Sequence, residues 1–239
     1  QTTTGGGHYC TGGAGVPVGL ANTETGISYQ LYNGSSATGT AINGTGSSIS
    51  FGLKTAAGTY TVSATNNTTG CVNNMSGTAT VIPDALPVTF TLTGGGQYCS
   101  GGTGVAIGLS GTETGITYQL QLGASASGAA VAGTGSAATF GLRTLAGTYN
   151  ATAVNNTTGC TATMNGTATV VVNGLPTVYS VTGGGSYCAG GTGVAIGLGG
   201  SSAGISYQLY SGATPSGSPV AGTGLPISFG SRTASGSYN

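Results

Sequence analysis

Few side chains in this chain can do chemistry: five cysteines, one histidine, three acids and three bases among 239 residues. The cysteines have the most regular spacing. Cys10 and Cys71 stand 61 residues apart, Cys99 and Cys160 stand the same distance apart, and Cys188 continues the series 89 residues after Cys99. Two thiols per 89 residues, with no histidine beside them, cannot supply the four ligands of a structural zinc site. The spacing therefore points to disulfides and to an oxidising, extracellular compartment. The expected bridges are Cys10–Cys71 and Cys99–Cys160, each closing a loop inside its own segment. The partner of Cys188 is expected beyond Asn239.

The remaining candidates assemble into nothing catalytic. His8 is replaced by Gln97 and Ser186 at the equivalent positions, so no repeated function can rest on it, and it reads as a loop residue. Glu24 and Glu113 match each other but face Ser202, and no pair of carboxylates of the kind glycoside hydrolysis needs is formed. No enzymatic activity is expected, because the search for a base near a nucleophile ends without a candidate. No cofactor is expected either; calcium is the one ion for which the backbone carbonyls of the Gly-rich loops leave room. Lys54, Arg143 and Arg232 occupy one repeated place and are the only charge present three times. They read as turn residues that hydrogen-bond carbonyls, or else as a contact to a neighbouring domain or subunit. The Gly triplets at 5–7, 94–96 and 183–185 are followed by no helix and no Lys-Ser/Thr, so they are not phosphate loops. They suit close backbone approach or positive φ ahead of each cysteine.

The elements that must carry these residues follow from the repeat. GGGHYC at 5–10 returns as GGGQYC at 94–99 and GGGSYC at 183–188, and the same 89-residue offset links Tyr29, Tyr118 and Tyr207 without insertion or deletion. A period of that length is a small domain rather than a solenoid coil. Domains are assigned to 1–87, 88–176 and 177–239, with short Pro-bearing linkers at Ala85-Leu86-Pro87 and Gly174-Leu175-Pro176. The third copy stops at the counterpart of Thr61 and is expected to lack its last strands, as an excerpt of a longer array would. Apolar residues alternate with period two at Val16/Val18/Leu20, Ile27/Tyr29/Leu31, Ile49/Phe51/Leu53 and Tyr60/Val62/Ala64, which predicts six or seven short strands per repeat and an antiparallel sandwich. Tyr32 and Tyr210 fall on the outward side of their strand, where the middle copy has Gln121.

The run Tyr98-Cys99-Ser100-Gly101-Gly102-Thr103-Gly104-Val105, with Gly115-Ile116-Thr117-Tyr118-Gln119-Leu120, Ala146-Gly147-Thr148-Tyr149 and Thr158-Gly159-Cys160, resembles the immunoglobulin-like repeats of giant Bacteroidota surface proteins, gliding adhesins among them. The resemblance spans essentially the whole chain. It implies tandem immunoglobulin-like sandwiches, export by the type IX secretion route and a surface or adhesive role, and it transfers no catalytic residue. Antibody-type domains fit less well, for there is no Trp to pack on a mid-strand bridge.

Composition narrows the partners. With three basic residues there is no stripe for phosphate backbones and no polybasic patch for anionic lipid, so nucleic acid and membrane insertion are not expected. Zero net charge leaves nothing electrostatic to keep copies apart. The expectation is a structural, adhesive segment of a long extracellular repeat protein that associates side by side into a fibre and attaches to surfaces, surface glycans or other cells. The alternative is a carbohydrate- or ice-binding module without filament formation, motivated by Thr-rich stretches such as Thr89-Phe90-Thr91-Leu92-Thr93 and Thr78-Ala79-Thr80.

Overall fold

A computed structural model describes all residues, Gln1–Asn239. The chain is all β, and no helix is long and apolar enough to cross a membrane. The first repeat holds nine strands: β1 (Thr3–Gly5), β2 (Gly7–Cys10), β3 (Val16–Leu20), β4 (Ile27–Asn33), β5 (Ser36–Asn43), β6 (Ile49–Lys54), β7 (Gly58–Asn66), β8 (Val72–Asn74) and β9 (Ala79–Asp84). One sheet runs β1-β3-β6, and the other runs β2-β9-β7-β4-β5 with β8 added to β7. All pairs are antiparallel except β2 with β9, which is parallel.

The two sheets close on one immunoglobulin-like core. Val18 and Leu20 of the small sheet meet Tyr29, Leu31, Tyr60, Val62, Ala79 and Val81 of the large one, all almost fully buried. These are the inward positions of the period-two pattern, and burying such side chains contributes roughly 1.5–3 kcal/mol each. The tyrosines reach the core because their hydroxyls end on backbone. Tyr29 Oη accepts the Glu24 N–H at 2.9 Å, and Tyr60 Oη donates to the Ala56 carbonyl at 2.9 Å. Tyr118 with Glu113 and Tyr149 with Leu145 repeat both contacts in the second copy.

The Gly triplet is where the chain changes sheets. Gly5 ends β1 at φ +92° and Gly7 opens β2; a Cβ on Gly5 would lie 2.0 Å from the Pro17 carbonyl oxygen, and one on Gly6 would lie 2.6 Å from that of Thr80. Positive φ and close backbone approach are both required there, as the sequence suggests.

The second repeat reproduces this arrangement, with Leu92–Gly94, Val105–Leu109 and Ala138–Arg143 in the small sheet. Gly96–Cys99, Ala168–Asn173, Gly147–Asn155 and Ile116–Leu122 follow in that order in the large one. The counterpart of β5 is split into Ser125–Ala126 and Val131–Ala132. The chain divides into two compact units, 1–172 and 173–239, and the first contains both of these cores. In the second unit, Val181–Gly183, Val194–Leu198 and Ile227–Arg232 form the small sheet, and Ile196, Leu198, Leu209, Ile227 and Phe229 form the core.

Two expectations about strands need correction. The pattern anticipates six or seven strands and omits β2 and β8, which are short and have no apolar alternation to mark them. Leu53 is also not inward. In β6 two residues, Phe51 and Gly52, oppose the single Val18 of β3, and Gly52 has φ +81°. This bulge reverses the alternation, so Leu53 and its counterpart Leu142 are 56% and 54% exposed.

Candidate functional site

The feature with the most chemistry is a disulfide, and it differs from the expected ones. Cys10 is bonded to Cys160 across 150 residues with a Cα–Cα distance of 5.5 Å, while Cys71, Cys99 and Cys188 are free and exposed. Neither Cys10–Cys71 nor Cys99–Cys160 forms. Strand register explains why. Gly7, Val81 and Gly58 lie in one row across the large sheet. From that row β2 runs three residues one way to Cys10, while β7 runs eight residues the other way to Asn66, beside Cys71. At ~3.3 Å per residue the two cysteines are about 35 Å apart, whereas a disulfide needs Cα atoms within roughly 7 Å.

The first and second sandwiches therefore each have one cysteine at each end. Cys10 sits at the tail of the first repeat: it pairs in register with Asp84, whose carbonyl accepts the Thr11 N–H at 2.9 Å, and the linker to the next repeat starts at Ala85. Cys160 sits at the head of the second repeat, level with the Gly115 carbonyl that accepts the Asn156 N–H at 3.0 Å. Nearby, the Val88 N–H donates to Glu113 Oε2 at 2.7 Å where the chain enters. Linker and bridge are thus two covalent ties across one junction.

Both cysteines are held by turns that recur. Cys160 follows a loop in which Asn155 Oδ1 accepts the N–H groups of Thr157 and Thr158 at 2.9 and 3.1 Å, and the Asn155 N–H donates to the Cys160 carbonyl at 2.8 Å. Asn66 makes the same bonds around Cys71, with 2.9 and 3.0 Å to Thr68 and Thr69 and 2.9 Å to the Cys71 carbonyl. On the tail side, the Cys10 carbonyl accepts the Gly13 N–H at 2.9 Å, as those of Cys99 and Cys188 accept the Gly102 and Gly191 N–H groups at 2.9 Å.

His8 lies in β2 rather than in a loop, two residues before Cys10, with Nδ1 3.0 Å from Asp84 Oδ1; this is the one ion pair of the chain if the ring is protonated. Arg143 and Arg232, two of the three repeated cations, point into their own repeats. Arg143 Nη2 donates to the Phe140 carbonyl at 2.6 Å, and Arg232 Nη2 donates to the Ser216 carbonyl at 3.2 Å. Glycine makes room for the guanidinium, since a Cβ on Gly128 or Gly217 would come within 2.6 or 2.5 Å of Nη2. The β6 bulge that turns Leu53 outward leaves Lys54 half-buried at this place. Tyr32 is half-buried and Tyr210 is 37% exposed. Tyr32 borders a shallow outer hollow with Thr61, Ser63, Asn74 and Thr78. No group of three or more His, Cys, Asp and Glu side chains comes together.

No protein-family model matches the chain, and no curated protein is significantly similar to it. Among solved structures, it resembles a chain from the crystal structure of the mouse coronavirus receptor-binding domain complexed with its murine receptor, at 12% identity and TM-score 0.38. It also resembles murine CEACAM1b, at 13% identity and TM-score 0.34. Each match covers 66% of this chain and 92% of the other. At these scores the likeness carries no functional information.

Proposed function

We propose that this chain is a structural, adhesive segment of a long extracellular repeat protein, and that copies associate side by side into a fibre. The observation that carries the reading is the Cys10–Cys160 bridge. A bond placed across a junction, rather than inside a core, restrains how two sandwiches turn against each other, which a load-bearing array requires and an isolated binding module does not. A disulfide also suits an oxidising compartment. The surface supports association: it has almost no charge to oppose contact, and Leu53 and Leu142 stand exposed at one repeated place. Weak contacts repeated along an array add as multivalent binding. The Bacteroidota surface location and type IX export belong to this proposal and rest on the sequence resemblance.

Analytical ultracentrifugation at micromolar concentration tests the fibre, with the three free thiols alkylated so that only non-covalent contacts count. Mass above the monomer, with bundled threads in electron micrographs, is expected; a clean monomer would remove lateral association. The second reading, glycan binding, draws on the hydroxyl-lined hollow beside Tyr32. A glycan array separates it from the first.

A further inference from the structure

The large sheet of the first repeat has a gap beside β7. Along that edge β9 pairs with residues 58–60 and β8 with residues 63–65, and no strand covers the stretch between them. The chain between β8 and β9 turns away there to meet the start of β1, where the Thr3 N–H donates to the Ser76 carbonyl at 2.8 Å. Thr61 is therefore left without a strand neighbour on one side, while on the other it pairs in register with Tyr32 of β4. The result is a hollow of 570 Å³ that takes in Tyr32, Thr61 and Ser63 of the sheet with Ser35, Asn74 and Thr78 around them. Small-molecule sites span roughly 300–1,000 Å³.

The chemistry of this hollow is of one kind. Of the twelve tyrosines, all but Tyr32 and Tyr210 have their hydroxyls hydrogen-bonded within their own repeat. The side chains of Ser35, Thr61, Ser63, Asn74 and Thr78 are likewise unengaged by the protein, and no charged residue lines the hollow. We infer that it is a binding site for a neutral sugar: the Tyr32 ring packs against the C–H face of a pyranose, and the surrounding hydroxyls and amide exchange hydrogen bonds with the sugar hydroxyls. Tyrosine suits that place because it joins a large apolar face to one polar end. An acidic or phosphorylated ligand would find no cation here to offset its loss of water. The middle repeat supplies the contrast within the same chain, with Gln121 in place of Tyr32 and Asn150 in place of Thr61, so it has no ring to stack on. The inference rests on the glycan reading and gives it a place, and the two part company if a sugar binds elsewhere on the chain.

The full chain, isotopically labelled and with its free thiols blocked by iodoacetamide, is titrated with maltotetraose, cellotetraose, mannotetraose and galactotetraose, with tetragalacturonate as the charged control, and followed by amide NMR. At least one neutral sugar is expected to shift the amides of Gly34, Thr61, Ser63, Asn74 and Gly77 while their counterparts Gly123, Asn150, Thr152, Thr163 and Gly166 stay in place. Tetragalacturonate should shift neither set. Tyr32→Gln puts in the residue that the middle repeat already carries, so the fold should tolerate it, and it should weaken binding about fivefold to tenfold. Tyr32→Phe keeps the ring and should lose less. Binding by none of the four neutral sugars overturns the inference and the glycan reading together. Shifts confined to other parts of the chain, equal affinity in Tyr32→Gln, or equal binding of tetragalacturonate overturn the inference and leave the glycan reading standing.

Discussion

Removing the junction bridge should destabilise two domains with a single change. Its stabilisation can be worked from the register. If only the first repeat unfolds, the folded second repeat holds Val88 and Cys160 at one end, so the closed loop is about 78 residues long, from Cys10 to Val88; chain entropy then gives about 4.5 kcal/mol. If only the second unfolds, Asp84 and Cys10 stay side by side and the loop is again about 76 residues, with nearly the same value. If both unfold, the full 150-residue separation counts, and the total is about 5 kcal/mol rather than twice 4.5. The bridge thus stabilises each repeat strongly while its partner stays folded, and it makes unfolding of the second easier once the first has gone. The assay is urea unfolding of Cys10→Ser/Cys160→Ser against the bridged chain, both with Cys71, Cys99 and Cys188 changed to Ser. The bridged chain should unfold in one steep transition, and the variant at a lower midpoint in two shallower ones. A midpoint shift worth under about 1 kcal/mol, or two separate transitions in the bridged chain, would refute the reasoning.

Three further outcomes are expected. Leu120→Ala, at a fully buried site, should cost about 2–5 kcal/mol in denaturant unfolding; Leu142→Ala, turned outward by the bulge, should stay within about 0.5 kcal/mol, and equal losses would contradict the bulge. Gly133→Ala would place a Cβ 1.8 Å from the Glu113 carbonyl oxygen, and it should lower stability by about 1–3 kcal/mol; an unchanged melting temperature would show that this backbone contact is looser than described. Burial pushes the Tyr60 and Tyr118 hydroxyls above their ordinary value of 10.0. Their unfolded counterparts lose protons first, so the stability they contribute is whole below about pH 10 and falls as pH rises through the folded values. A urea midpoint unchanged between pH 8 and pH 11, with free thiols blocked, would exclude that coupling.

Much of the sandwich is legible in the sequence because its core obeys period two: Val18, Tyr29, Leu31, Tyr60 and Val62 are all inward where the alternation puts them. The alternation fails at Leu53, where an inserted Gly52 turns the strand over, and a Phe-Gly-Leu run after regular alternation is the signal that could have exposed it. Strand β2 carries Gly-His-Tyr-Cys and is defined by its partner β9 rather than by its own pattern. The cysteine pairing is hidden for a different reason. With an exact 89-residue period, pairing within a repeat and pairing between neighbours fit the spacing equally well. Only the direction of β2 against β7 shows that the two cysteines of one repeat lie at opposite ends.

The bridge across the junction can be read with trypsin alone, because the chain's only cleavage sites are Lys54, Arg143 and Arg232. Cys10 falls in peptide 1–54, Cys71 and Cys99 fall in 55–143, and Cys160 and Cys188 fall in 144–232. Monomeric protein is alkylated, denatured, digested without reductant and weighed by mass spectrometry. A species joining 1–54 to 144–232, with 55–143 released free and carrying two alkyl groups, is the predicted result. A species joining 1–54 to 55–143 would place the bridge inside the first repeat and contradict the account.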